Sequence, residues 1–394
     1  MGEKARGDGK RLRLGLEVAA LVVFVVIGLV LVFPDTFSAL FQPSTKGLRE
    51  AMYYTKLDEK TVQCQLCFRR CTISDGQRGF CTNRRNIGGT LYTLIYGKPC
   101  ALQIDPVEKE PLFHVYPGSR IFCIGTAGCN FRCSFCQNWH MAHKSLEEVN
   151  YLEYSPEEVV DLAFQYNCTG FHFTYNEPTV FYEYMYDVAR VAGQRGLTVA
   201  FHSNGAMNRG PLKALLEHMD AVTIDLKSFE DRFYEYVTEQ SVSGPYKPSS
   251  PPRETVLATL KTIREEEVWL EIVNLVIPTL NDEPEKIREM CVWIRDNLGE
   301  EVPIHFIRFM PACKLTKLPY TPVETLEVAR SVAMGVGLRY VYIGNVPGHE
   351  ANSMFCPECG EPLIVRYHFW VINYNLEEGC CKYCGYEIPG LWNK

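Results

Sequence analysis

From Ile121 to Ile343, short apolar runs alternate with segments of helical period, and this alternation constrains the fold more than any other feature of the chain. The runs Arg120 to Gly125, Gly170 to Thr174, Thr198 to His202, Ala221 to Leu226, Trp269 to Ile277, Ile304 to Arg308 and Tyr340 to Ile343 read as strands. Between them, Pro156 to Gln165, Thr179 to Arg195, Gly210 to His218, Thr255 to Glu266, Glu283 to Asn297 and Val323 to Val336 read as helices. Repeated strand–helix units bury a parallel sheet on both faces, so the expected fold class is α/β, a partial (β/α) TIM-type barrel of about seven strands. The first of these strands runs into Gly128-Cys129-Asn130-Phe131-Arg132-Cys133-Ser134-Phe135-Cys136. A cysteine loop after a strand sits where barrel folds carry their chemistry. Thiolates spaced C-x3-C-x2-C can hold three corners of a cubane iron–sulfur cluster and leave the fourth iron open to a small molecule. A structural zinc ion would need a fourth protein ligand, for which His140 and His143 are near enough in sequence. Unligated buried thiols are the remaining plain reading.

The chain has 394 residues, 46% of them hydrophobic, enough for one large domain and smaller ones. Its net charge of −7, with no basic stripe, excludes nucleic acid as an expected partner. Seventeen cysteines first suggest disulfides, but eleven fall into three groups with metal-ligand spacing, and metal thiolates require a reducing compartment. Val18 to Phe33 is an unbroken apolar run of 16 residues, preceded by Lys4, Arg6, Lys10, Arg11 and Arg13 and ended by Pro34-Asp35. It reads as a single membrane-anchor helix near the lower length limit for spanning. The positive-inside rule would place the following residues outside, whereas the sulfur chemistry requires them to face the cytoplasm, which is the expectation adopted.

Two further cysteine groups flank the barrel. Phe37 to Tyr53 reads as a linker and short helix leading to Cys64, Cys67, Cys71 and Cys81, a compact knuckle that suits zinc, the structural default, or an auxiliary iron–sulfur cluster. Cys356-Pro357-Glu358-Cys359-Gly360 and Cys381-Lys382-Tyr383-Cys384-Gly385 match a zinc ribbon, with Cys380 able to exchange for Cys381 as ligand. The expected domains are 1–36 (basic N-terminus and anchor), 37–110 (linker and knuckle), 111–349 (barrel) and 350–394 (ribbon).

The cysteine loop resembles the cluster loop of radical S-adenosylmethionine (SAM) enzymes. In these, SAM chelates the open iron and an electron splits its sulfonium to give a 5'-deoxyadenosyl radical. Thr174-Tyr175-Asn176-Glu177-Pro178 resembles the family's Gly-Gly-Glu-Pro element, and Asp225-Leu226-Lys227 the Asp-x-Lys element of glycyl-radical-enzyme activases. Adding Cys64-Gln65-Leu66-Cys67, Arg78-Gly79-Phe80-Cys81, Ile104-Asp105-Pro106-Val107-Glu108-Lys109, Pro111-Leu112-Phe113-His114, Tyr116-Pro117-Gly118-Ser119 and Gly344-Asn345-Val346-Pro347-Gly348-His349-Glu350, residues 54–392 resemble the AmmeMemoRadiSam system radical SAM enzyme. That family is related to pyruvate formate-lyase activating enzymes. The resemblance implies a [4Fe-4S] cluster on Cys129, Cys133 and Cys136, with SAM held by Phe135, Asn176, Glu177, Ser203, Asn204, Asp225 and Lys227. It implies a reductant such as ferredoxin or flavodoxin and association with the system's two other proteins. The substrate, a protein or a modified small molecule, is not legible. Asn176 in place of the usual Gly, and His202 where activases commonly carry Asp, depart from the activase pattern. Two alternatives stand beside hydrogen abstraction by radical SAM chemistry: a dedicated glycyl radical activase, and a membrane-tethered zinc-binding scaffold. His114, Tyr116, His140, His305, Arg308 and His349 are candidate pocket residues.

Overall fold

The computed structural model describes residues 45, 47–238, 246 and 248–392. The anchor segment lies outside them, and among the described residues no helix is long and apolar enough to cross a membrane. From Leu48 onward the chain is one compact unit. Its centre is an eight-stranded sheet of β1 (Ala101–Pro106), β2 (Arg120–Gly125), β3 (Gly170–Phe173), β4 (Thr198–Ser203), β5 (Ala221–Asp225), β6 (Trp269–Val276), β7 (Ile304–Arg308) and β8 (Val341–Gly344). They pair in sequential order. β2 to β8 are parallel, as the apolar runs predict, and β1 lies antiparallel on β2 with Ala101 opposite Gly125. The strand pattern did not anticipate β1, because its polar Gln103 and Asp105 break the apolar run.

Parallel neighbours need crossovers, and helices supply them. They are α1 (Pro156–Gln165), α2 (Tyr182–Gln194), α3 (Arg209–Leu216), α4 (Asp231–Val237), α5 (Pro252–Glu265), α6 (Pro284–Leu298) and α7 (Val323–Gly335). Local chemistry sets their starts: Ser155 and Glu158 form a capping box on α1, and α5 and α6 begin on proline. Alternation then divides each strand. Phe171, Phe173, Val199, Phe201, Val222, Ile224, Leu270, Ile272, Ile304 and Phe306 face the helices in the main core. Ile121, Cys123, Ala200 and Ala221 join Leu112 and Val115 in a smaller cluster on the other face. A single cavity takes residues from the ends of β4 to β8, which requires the sheet to curl around it. β8 does not pair back to β1, so the barrel stays open on one side.

Both cysteine-rich ends pack on this barrel. Residues 49–93 form two small three-stranded sheets. Arg49–Glu50 pairs with Thr90–Thr93 as a strand, so the described part of the expected linker helix is extended instead; its Cα partners Thr93 and Tyr92 supply the hydrogen bonds that a helix would have made internally. The C-terminal β9 (Met354–Phe355), β10 (Pro362–Tyr367) and β11 (Trp370–Tyr374) are antiparallel. Their core is shared with Phe113, Tyr340 and Tyr342 of the barrel. Arg366, fully buried, donates to Phe113 O at 2.7 Å and covers the Phe113 ring at 4.2 Å.

Arg84 and Glu183 form an ion pair with both side chains 2% exposed, and Glu183 also accepts from Met52 N at 2.7 Å. This contact ties the knuckle to α2. Glu183→Ala leaves a buried guanidinium without its counter-charge and is expected to destabilise the fold by about 3–5 kcal/mol, read by urea unfolding.

Candidate active site

The wall of the cavity nearest β2 is the thiol loop. Gly128 opens it at φ +86°, and a Cβ there would lie 2.2 Å from Asn83 Nδ2 and 2.6 Å from Cys81 O, so only glycine lets the loop seat against the knuckle. Asn176 clasps the loop, accepting from Thr126 N at 3.1 Å and donating to Gly128 O at 2.8 Å. Arg132 donates to the carbonyls of Cys129, Phe131 and Phe80. Held this way, Cys129, Cys133 and Cys136 all line a cavity of about 630 Å³, within the usual range for small-molecule sites. Their sulfurs do not close to within 4.8 Å of one another as a trio, as single-ion ligands would. His140 is exposed, and neither it nor His143 lines the cavity.

The other strand ends complete the rim. Glu177 is 2% exposed, and its carboxylate accepts from Thr179 N, Thr179 Oγ1 and Ser203 Oγ on one oxygen and from Asn204 N on the other. Asn204 in turn donates to Asn130 Oδ1 at 2.7 Å and lies 3.9 Å from Cys129 Sγ. At the end of β5, Asp225 binds His202 Nε2 at 3.0 Å and Lys227 Nζ at 2.6 Å. Lys227 also stands 5.6 Å over the Phe135 ring. All seven residues expected to meet SAM therefore line one cavity with the three cysteines.

The sequence model of the radical SAM superfamily matches residues 123–291. An uncharacterised protein of Methanocaldococcus jannaschii is 46% identical over 343 residues, covering 86% of this chain and 99% of that protein. The chain belongs to the radical SAM superfamily. It is also 26% identical over 177 residues to the pyruvate formate-lyase-activating enzyme of Clostridium pasteurianum, covering 43% of this chain and 67% of that enzyme. Among solved structures, a radical SAM methyltransferase from Sphaerobacter thermophilus aligns with a TM-score of 0.44 at 13% identity over 80% of this chain and 83% of that one.

Radical SAM membership makes the protein an enzyme and implies a [4Fe-4S] cluster and SAM. The donor set fits: three soft thiols beside a cavity large enough for a nucleoside. The walls include residues to which the motifs assigned no role in the site. Glu108, Lys109, Glu110 and Pro111 enter from the segment after β1, and His368 and Phe369 come from the β10–β11 turn of the ribbon. Tyr175 adopts φ 74°, with its hydroxyl on Asp105 at 2.6 Å and its carbonyl accepting from Asn138 at 2.7 Å. Tertiary contacts place all of these, and only the left-handed Tyr175 has a local sequence neighbour, Asn176, suggestive of a turn.

Of the six candidate pocket residues, His305 alone lines this cavity. Its Nε2 meets Glu271 at 2.7 Å, and Glu271 also accepts from the backbone of Phe113 and His114. His114 lies beneath, bound to Tyr342 OH and Pro389 O, where burial lowers its pKa to about 4. Tyr116 borders a separate cleft, Arg308 donates to Thr321 O, and His349 meets Glu327 at 3.3 Å. In the ribbon, Cys356, Cys359, Cys381 and Cys384 bring their sulfurs within 4.8 Å, which makes Cys381 rather than Cys380 the fourth member.

Burial alone would lower the pKa of His202, but the Asp225 carboxylate outweighs it and raises the pKa above its ordinary 6.5. The protonated pair therefore adds stability that is complete below about pH 6.5 and is lost as pH rises through the raised value. The stability difference between the natural protein and His202→Asn, measured by urea unfolding across pH, should shrink as pH increases.

Proposed function

We propose that this protein cleaves SAM reductively at a [4Fe-4S] cluster on Cys129, Cys133 and Cys136 and abstracts hydrogen from a protein or modified small molecule. The observation that carries the reading is the three-thiol wall facing a cavity ringed by strand ends. When bound, the cluster supplies the electron that splits the sulfonium. The chain's residues bind and orient. Lys227, 10% exposed and ion-paired to Asp225, presents a cation to the carboxylate of SAM. Burial alone would lower the Lys227 pKa, yet Asp225 outweighs it and keeps the amine charged. Phe135, beside Lys227 and packed on Phe233, offers an apolar face to the adenine. Asn176, Glu177, Ser203 and Asn204 act by holding the loops in register, since their hydrogen bonds run to the chain itself. Phe131, Leu275, Ile307, Met310 and Phe369 line the remaining wall and keep water from the reacting carbon.

The resemblance to the AmmeMemoRadiSam system enzyme supports a functional link to that system's two other proteins and electron delivery by ferredoxin or flavodoxin. The ribbon quartet, with sulfur pairs at 3.6 and 3.7 Å, suits one zinc ion. We assign the apolar segment Val18 to Phe33 as a membrane anchor, with the catalytic part in the cytoplasm where SAM and reductant are available. A second reading, glycyl radical installation on a partner, draws on the similarity to the Clostridium pasteurianum enzyme. It requires a partner that acquires a backbone radical visible by electron paramagnetic resonance.

Anaerobically reconstituted and reduced protein should release 5'-deoxyadenosine from SAM, and Cys133→Ala should bring release to the enzyme-free background. Retention of product in Cys133→Ala refutes the assignment. Lys227→Met, with one charged hydrogen bond removed, should weaken SAM binding about ten- to a hundredfold in equilibrium dialysis.

A further inference from the structure

We infer that Cys64, Cys67, Cys71 and Cys81 hold a second iron–sulfur cluster of the [4Fe-4S] type, not a single zinc ion. The reading does not depend on the function proposed for the other three thiols. A lone zinc ion with Zn–S bonds of about 2.3 Å requires its four sulfurs at about 3.8 Å from one another. The ribbon quartet meets that spacing, with pairs at 3.6 and 3.7 Å and all four sulfurs inside 4.8 Å. The N-terminal thiols do not: no three of their sulfurs lie within 4.8 Å of one another, although all four border one small cavity of about 20 Å³. A single ion contacting four sulfurs would need them to close in, whereas a cubane binds each cysteine at a separate iron and so takes ligand sulfurs set farther apart.

The lining supports the same occupant. Asn130 and Arg84 both border this cavity, at 1% and 2% exposure, and Asn130 Nδ2 and Arg84 Nε are buried donors without a partner. Buried donors left unpaired are costly, so an acceptor is expected between them. Thiolates on zinc offer only the four cysteine sulfurs, while a cubane adds inorganic sulfides as acceptors, and donors to cluster sulfur tune its potential. Arg84 already lies 3.8 Å from Cys64 Sγ through its Nη1. Asn130 adjoins Cys129 in the chain, and Arg69 Nε donates to its carbonyl at 2.6 Å. The second cluster therefore backs directly onto the wall of the catalytic cavity.

The test uses the full-length protein, reconstituted anaerobically with iron and sulfide and assayed for iron, sulfide and zinc, with electron paramagnetic resonance after reduction. The triple variant Cys129→Ala, Cys133→Ala, Cys136→Ala leaves the quartet intact and should keep about four irons per chain, against about eight in the natural protein, with a reduced-cluster signal. A triple variant without iron and with a second zinc equivalent overturns the inference while leaving the catalytic trio's assignment standing. A triple variant that keeps all of the natural protein's iron refutes the trio's assignment instead and leaves the quartet's cluster in place. Replacing the four knuckle cysteines with alanine is the complementary arm, and the triple variant decides the matter even where that knuckle does not fold.

Discussion

A single buried carboxylate holds the working face of this molecule together. Glu177 stands at the end of β3 and spends both oxygens on the chain: on its own turn through Thr179, and on the end of β4 through Ser203 and Asn204. Asn204 passes the connection to Asn130 in the thiol loop. Charge-assisted hydrogen bonds in a water-poor site are strong and directional, so three separate segments share one geometry. The cysteines can then face a cavity with their three sulfurs not drawn together as a trio, because the scaffold behind them fixes their positions.

The three sulfur groups show how backbone attachment, more than ligand identity, sets what a site can hold. The ribbon thiols sit in two tight turns brought face to face by short antiparallel strands, and their sulfurs close to single-ion spacing. The trio rides on one loop clamped from outside by Arg132 and Asn176, which keeps it spread. The knuckle quartet is spread as well, around a cavity edged by Arg84 and Asn130. The buried Arg69 and Arg84 and the half-buried Arg132 supply positive charge near both spread groups, offsetting the charge that thiolates carry on ligation.

The ribbon is more than an appendage. Arg366 reaches Glu108 and Phe113, and Leu391 exchanges backbone hydrogen bonds with His114 and Tyr116, so the C-terminal segment packs against the chain leading into β2. Its His368–Phe369 turn lines the same cavity as the cysteine trio. A zinc ion in the ribbon would thus help to shape a catalytic wall at a distance from its own ligands.

The repeated apolar runs determined the barrel by themselves, because strands covered on both faces are mostly apolar and a parallel sheet under helices buries them. The cysteine spacing likewise marked the trio as a site for a cluster, since local chain length limits which thiols can reach one centre. Contacts between distant segments decided the rest. The extended pairing of Arg49–Glu50, the antiparallel β1, the entry of His368 and Phe369 into the cavity and the burial of His114 beneath it all arise from packing across hundreds of residues. The roles within the site divide in the same way: motif matching brought Glu177 and Asn204 to the cavity, but only the folded chain shows their hydrogen bonds turned inward. Sulfur-to-sulfur distance is a property of three-dimensional attachment, so two cysteine quartets that read alike as metal knuckles differ in how closely their sulfurs approach.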